Sequence, residues 1–489
     1  MSSSINLDLD ALTTAIKDSM KSKLASDWVF IVPAEVIILK DGDEAIALDG
    51  ETKSEIIRST DHSSVFQEAI TVASQKGGGR IIVLPGWYTL LSTINIDFSK
   101  IVIEGYSYGH DLFFTNDDNY YGLTNKYPVV LSAVGIDAIK IGATNLVFGI
   151  AIKNLAITGS DTESVQDDSV YSEGAGISIL KGQCIRIENV HVTRKYQGIY
   201  MSAGFETYDD VIDIVFLENL MFSYNVYGIN QGGWVTHVRG RNIFGYLNQR
   251  SLIKVNPQYD WILENIFSNA DSWNATNPRD TPIYIGTRRH VEIRNVQVHG
   301  AKGTTLCPVP LMWFDLNAVT EGNTEADVVV NRAVLAETQA DAIRVDGTGG
   351  TLIVKNIRAG TSYMGGGGTI SGQIVYNYSS AIRVILVDGK VSCGQPVPWV
   401  GEVKARNLYV IRSGGEGWTE KSGVATITAG ATSVTVNHGL YDVPSKVLIT
   451  PLEQPEGKLW VANRTATSFD IITDVAPSVD LPIAWFAKV

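Results

Sequence analysis

WILENIFS, residues 261–268, belongs to a series. IRIENVHV (185–192), VFLENLMF (215–222) and VEIRNVQV (291–298) share its plan: apolar residues at alternate positions, an asparagine, then apolar residues again. AIKNLAI, LIVKNIRA and VKARNLYV are looser copies, which puts the asparagines at Asn154, Asn189, Asn219, Asn265, Asn295, Asn356 and Asn407. RNIFGY around Asn242 and VVVNRAV around Asn331 divide wider intervals, and a period of 23–36 residues emerges. The recurrent asparagine fits a bend whose side chain bonds the backbone or the next asparagine.

Between these markers lie shorter alternating segments: GISIL (176–180), GIYMS (198–202), GINQG (228–232), LIKVN (252–256), PIYIG (282–286), LMWFD (311–315) and AIRVD (342–346). Each repeat therefore holds at least two short strands, with no room for a crossover helix. Such a unit cannot close a core alone, whereas successive coils stacked as parallel sheets can. A sandwich would need many hairpin turns, and few occur here. The expected class is all-β: a right-handed parallel β-helix with short N-terminal helices and a C-terminal antiparallel β-sandwich.

Alternation also sorts the shorter segments by face. Ile177, Ile199, Ile229, Ile283, Met312 and Ile343 point inward. Ser178, Tyr200, Asn230, Tyr284, Trp313 and Arg344 point outward, with LIKVN contributing either Ile253 or Lys254. Stacked about 4.8 Å apart, they make a wall of aromatic and polar groups suited to sugar rings and hydroxyls. Asp315 and Asp346 follow on neighbouring strands. In register they stand near the roughly 5 Å separation of a retaining glycosidase, as an acid and a nucleophile. Turn chemistry competes for both, since Asp346-Gly347 is a common turn dipeptide. Two loops offer further candidates: GFETYDDVID carries Asp209 and Asp210 as acids, and WNATNPRDTP carries Trp273 and Arg279 for substrate binding.

The 489 residues are 45% apolar with 46 glycines, enough for a large core rich in strands and turns. Thirty-nine basic against 52 acidic side chains give a net charge of −13, which disfavours a nucleic-acid groove and mildly disfavours an anionic polymer. Cys184, Cys307 and Cys393 read as buried free thiols. The N-terminus lacks the basic-then-apolar pattern of a secretory signal, and no 18-residue apolar span suggests membrane insertion. No zinc motif occurs, and no metal site is expected.

Residues 9–26 have helical spacing, and 35–59 read as strands turning at Asp41-Gly42 and Asp49-Gly50. DHSSVFQEAITVASQKGGG (61–79) reads as a helix capped by Asp61 and stopped by Gly77–Gly79. DHSSVFQEAI, GGGRIIVLPGWYTL and IVIEGYS together resemble the opening of the pectate-lyase-like, right-handed parallel β-helix superfamily, in an archaeal or phage-type form. The likeness spans about residues 35–415. Beyond it, 416–489 reads as five or six alternating strands and resembles terminal modules of phage appendages, used for assembly or glycan binding. The expected division is 1–60, lead-in; 61–415, β-helix; and 416–489, sandwich.

That superfamily hosts several chemistries, so its scaffold does not choose a reaction. The resemblance implies a carbohydrate-active protein that acts on a polysaccharide or oligosaccharide and assembles as a homotrimer, with no cofactor. Cleavage of glycosidic bonds by paired carboxylates is the preferred reading. β-Elimination on a uronic-acid polymer is an alternative; it would use Arg344, Arg279 or Lys254, with Ca2+ held by the acidic runs 117–122 or 161–168. Fructan transfer and a non-catalytic glycan-binding spike are the others.

Overall fold

The structure is a computed structural model. It describes residues 34–489 apart from 107–128, 161–170, 205–210, 273–274, 278, 288, 302–304, 318–326, 361–369, 396–397, 402 and 413–414. The helix expected over 9–26 lies outside the described residues.

Strands dominate, and twenty-nine of them join one network of pairings. In its body, strands pair in parallel with the equivalent strands one coil earlier and one coil later. Gly182–Thr193 sits between Ala151–Thr158 and Ile212–Ser223, and Lys195–Met201 sits between Ser172–Ile179 and Tyr227–Gln231. One ladder carries the asparagine segments and the other the short outward-facing segments. The strand Ile343–Ala359 belongs to both. Inward residues from the two ladders meet in a continuous core reaching from Val36 to Val410. Each fully buried Ile, Leu or Val there contributes about 1.5–3 kcal/mol.

The asparagine reading holds in detail. Asn154, Asn189, Asn219, Asn242, Asn265 and Asn295 all take left-handed backbone angles, φ 53–57°. Asparagine tolerates that region better than other residues with a Cβ. Each Nδ2 donates to the previous Oδ1 at 2.7–2.8 Å, from Asn189 on Asn154 to Asn295 on Asn265. The spacings are 35, 30, 23, 23 and 30 residues. The expected next marker, Asn331, is displaced by one. Asn331 pairs with Arg294, so Arg332, at φ 66°, takes the corner. The ladder breaks there and leaves Asn295 Oδ1 buried without a donor among the described residues.

The lead-in residues form a hairpin, Val36–Asp41 against Glu44–Asp49, with Gly42 at φ 62° in the turn. Its first strand pairs in parallel with Gly79–Val83, so the hairpin opens the main stack. The helix His62–Gln75 covers that end. Asp61 caps it by accepting from Ser63 N, and Val65, Phe66, Ala69, Ile70 and Ala73 are buried. Gly77 and Gly78, at φ 91° and 108°, end it as expected.

At the other end, Gly415–Trp418 folds back antiparallel on Val403–Arg412. Two three-stranded antiparallel sheets follow, sharing a core that includes Ile427, Phe469, Ile483 and Trp485. All three cysteines are free. Cys307 and Cys393 are buried as expected, but Cys184 is exposed, because its outward position on Gly182–Thr193 faces solvent. No helix among the described residues is long and apolar enough to cross a membrane.

Candidate functional site

Each outward residue of the shorter segments is set by the strand that carries it, and the register places them in one file. Ser178, Tyr200, Asn230, Lys254, Tyr284, Trp313 and Arg344 are successive neighbours, and Tyr376 extends the file by one. At about 4.8 Å per rung the file runs about 34 Å. The ambiguous segment resolves to Lys254, since Ile253 is 1% exposed and inside. Tyr376 was missed in sequence because its strand, Val375–Asn377, has only three residues.

Two residues further along the strands, Gly286, Asp315 and Asp346 are also successive neighbours. The two aspartates therefore stand on adjacent rungs, and neither lies outside the strand pairing. They have different partners. Asp315 Oδ2 accepts from the Tyr284 hydroxyl at 3.1 Å, and Oδ1 accepts from Asn317 Nδ2 at 2.9 Å. Asp346 Oδ2 accepts from Arg344 Nε at 2.8 Å, and its Oδ1 takes no hydrogen bond among the described residues. Burial, reinforced by the Asp315 carboxylate, pushes the Tyr284 hydroxyl well above its usual titration range. Tyr284 is thus a fixed donor, unsuited to act as a base.

The middle of the wall is more enclosed than alternation predicts. Tyr284 is 6% exposed and Trp313 5%, although both point away from the core. Their rings meet edge to face at 6.0 Å. The Arg344 guanidinium lies 4.0 Å from the Trp313 ring and 4.1 Å from that of Tyr378. Arg279 stands 5.9 Å from Trp313. Stacked cations of this kind contribute about 0.5–2 kcal/mol each. Side chains packing over one another cover faces that alternation alone would leave open. Trp313 Nε1 is buried with no acceptor among the described residues. Tyr378 stays 51% exposed at the rim.

Beside Asp315 lies a pocket of about 270 Å³ lined by Asn256, Gln258, Gly286, Thr287 and Asn317. This is near the lower end of small-ligand cavities, about 300 Å³. A Cβ at Gly286 would displace the Asn256 side-chain amide from the pocket wall.

A second group on the same face was only partly foreseen. Asp280, 2% exposed, accepts from Lys254 Nζ at 2.8 Å and from the Tyr227 hydroxyl at 3.2 Å, with Arg250 Nε 3.5 Å from its other oxygen. Arg250 also donates to the Tyr227 hydroxyl at 2.7 Å. Tyr227 meets Tyr196 at 5.9 Å, and Tyr196 meets Tyr171 at 6.0 Å. Arg250 and Tyr227 precede their alternating segments, where periodicity gives no signal.

Asp209, Asp210 and Trp273 lie outside the described residues, as do the acidic runs 117–122 and 161–168. Among the described residues no three His, Cys, Asp or Glu side chains converge as metal ligands.

No family model matches the chain, and no curated protein matches it. Solved structures similar in fold include a Geobacillus virus E2 protein, at 11% identity and TM-score 0.41, with 85% of this chain and 73% of that one covered. A tailspike protein from Pseudomonas phage LKA1 aligns at 11% identity and TM-score 0.40, covering 86% and 92%. A DFA-IIIase from Arthrobacter chlorophenolicus A6 aligns at 11% identity and TM-score 0.38, covering 73% and 91%. These likenesses are distant and do not bear on the chemistry.

Proposed function

We propose that the outward wall binds a polysaccharide and that Asp315 and Asp346 cleave a glycosidic bond at the pocket beside them. The observation that carries this reading is the one-rung register of the two aspartates, next to a cavity lined by amide and hydroxyl groups. Adjacent rungs lie about 4.8 Å apart, close to the roughly 5 Å separation used when cleavage retains configuration. The stack is then a right-handed parallel β-helix, the hand that nearly all parallel connections take. The two C-terminal sheets form its sandwich module, and a homotrimer is its assembly.

Asp315, with both oxygens held by donors, is the nucleophile. It bonds to the anomeric carbon as the glycosidic oxygen departs with a proton from Asp346 Oδ1. Water then attacks the same carbon, gives its proton to Asp346 and releases Asp315. Arg344 holds Asp346 by the other oxygen, and the reaction needs that ion pair to open as the proton arrives. Tyr284 and Asn317 are positioning residues for Asp315.

The competing reading is a spike that binds glycan without cutting it. Incubation with neutral and acidic polysaccharides separates the two. Cleavage predicts new reducing ends without absorbance near 235 nm, and initial products that keep the anomeric configuration. Absorbance near 235 nm would mean elimination, transfer of fructosyl units without net reducing ends would mean a transferase, and retention without product would mean a spike. Each of the three would sink the hydrolytic pair.

A further inference from the structure

We infer that the last coils of the stack carry a docking ridge for a second copy of this chain, which meets it with the acidic tip of its C-terminal sheets. This rests on the homotrimer reading and not on the cleavage pair. The ridge lies along the asparagine ladder, not on the wall. In earlier coils that ladder neutralises itself: Lys153 stands 2.9 Å from Glu188, Arg294 stands 2.7 Å from Glu292, and Arg241 pairs with Glu218. Its last three strands do the reverse. Lys355, Arg358, Arg383, Lys390, Lys404 and Arg406 are exposed, and none has an ion pair among the described residues. The one described acid on this side of those strands is Asp388, whose Oδ1 accepts from Asn407 Nδ2. Arg358 and Lys390 are direct neighbours on adjacent strands, where like charges repel. Ile353 and Ile385, half-buried partners in register, lie between Arg383 on one side and Lys355 with Arg406 on the other. An apolar centre with a charged rim is the anatomy of a protein interface.

The matching surface is at one end of the C-terminal sheets, where loops 452–458 and 474–480 meet. Ser478 N donates to Glu456 Oε1 at 2.8 Å and Lys458 N to Asp474 Oδ1 at 2.6 Å, which ties the two loops together. They expose Leu452 at 56% and Val479 at 62%, beside Glu453, Glu456, Asp474 and Asp480. Lys458 is the only cation in the two loops. None of the four carboxylates has an ion pair among the described residues. Apolar residues ringed by anions thus fit apolar residues ringed by cations, on a chain whose net charge of −13 otherwise repels its own copies. Tip and ridge are different patches, so the contact is heterologous. Each copy gives its tip to one neighbour and its ridge to the other, and three copies close a ring.

The test is the oligomeric state of the full chain, read by sedimentation velocity over a concentration series. The wild type should form a trimer that added salt weakens. K355E/R406E on the ridge and E453K/E456K on the tip should each raise its dissociation constant about tenfold or more. The chain carrying all four changes should regain most of that loss, because the charges then match again in reverse. L452S/V479S leaves every charge and loop hydrogen bond in place and should also loosen the trimer. All these side chains except that of Glu456 are free of hydrogen bonds among the described residues, so the thermal midpoint of the monomer should hold. A trimer indifferent to every variant would overturn the contact and leave the homotrimer standing, whereas a monomeric wild type would remove both. Loosening by ridge and tip variants without recovery in the combined chain would mean that the two patches do not face each other, and would overturn the inference. So would a monomer that binds vesicles of phosphatidylserine and phosphatidylcholine and loses them in K355E/R406E, since the ridge would then belong to a lipid surface.

Discussion

The asparagine corner and the outward wall are built by the same coil register and use it in opposite ways. At the corner six successive coils present the same residue, and each side chain bonds to its copy. Along the wall, neighbours in the file include Asn230, Lys254, Tyr284, Trp313 and Arg344, no two alike. Repetition satisfies the backbone of a stack, because a bonding pattern that works for one coil works for the next. A ligand surface needs variety, since a glycan presents different groups along its length. Where coils agree, the residue holds the fold; where they differ on an exposed file, the residue is free for chemistry.

Substitutions on the two files should therefore fail differently. The largest stability loss should come from N219A, inside the ladder. It removes hydrogen bonds to Asn189 and Asn242, about 1 kcal/mol each, and places alanine at φ 53°, which costs about 1–2 kcal/mol more. We expect about 3 kcal/mol by denaturant unfolding, with glycan binding by the folded fraction unchanged. N219G, which avoids the backbone penalty, should lose less.

A second inner ladder predicts a pH dependence. Lys195, Asn225, Asn248 and Asp271 stack inside the other corner, joined by hydrogen bonds from Lys195 N to Asp271 Oδ1. Burial pushes Asp271 up to about 7 despite donors from Ser268 and Asn248. Between about pH 4, where an unfolded aspartate titrates, and about pH 7 the folded chain keeps a proton that the unfolded chain has lost. This group's contribution to stability therefore falls as pH rises through that window and is flat above it. D271N extends the ladder with an amide and should remove that slope, read as the unfolding midpoint against pH.

On the wall, Y284F removes the hydroxyl that holds Asp315 Oδ2 and should lower cleavage about tenfold with little change in thermal midpoint. The smallest effect sharpens the contrast from the other side. R332N should restore the missing corner asparagine, give Asn295 Oδ1 a donor and raise stability by about 1 kcal/mol.

The sequence was most legible where the structure repeats. Alternation and the spaced asparagines were enough to place the inward residues, the corners and the file from Ser178 to Arg344. The corner at Asn331 was read one position early, because that coil's corner residue is Arg332, and the corner at Asp388, φ 57°, has no asparagine to mark it. The wall was legible as an order of residues and not as an environment. Periodicity says that Trp313 faces out, but not that Arg344 will lie across it. Arg250 and Asp280 come from just before their strands and Tyr227 from the first position of its own, and no local pattern announces that meeting.

The most direct test of the central claim is a double-substitution cycle of initial cleavage rates for wild type, D315N, D346N and the pair, on whichever polysaccharide the wild type cuts. Two carboxylates acting as one unit predict that each single change costs about a thousandfold or more, and that the double change costs no more than the worse single. Either single variant cutting at near the wild-type rate would contradict the account.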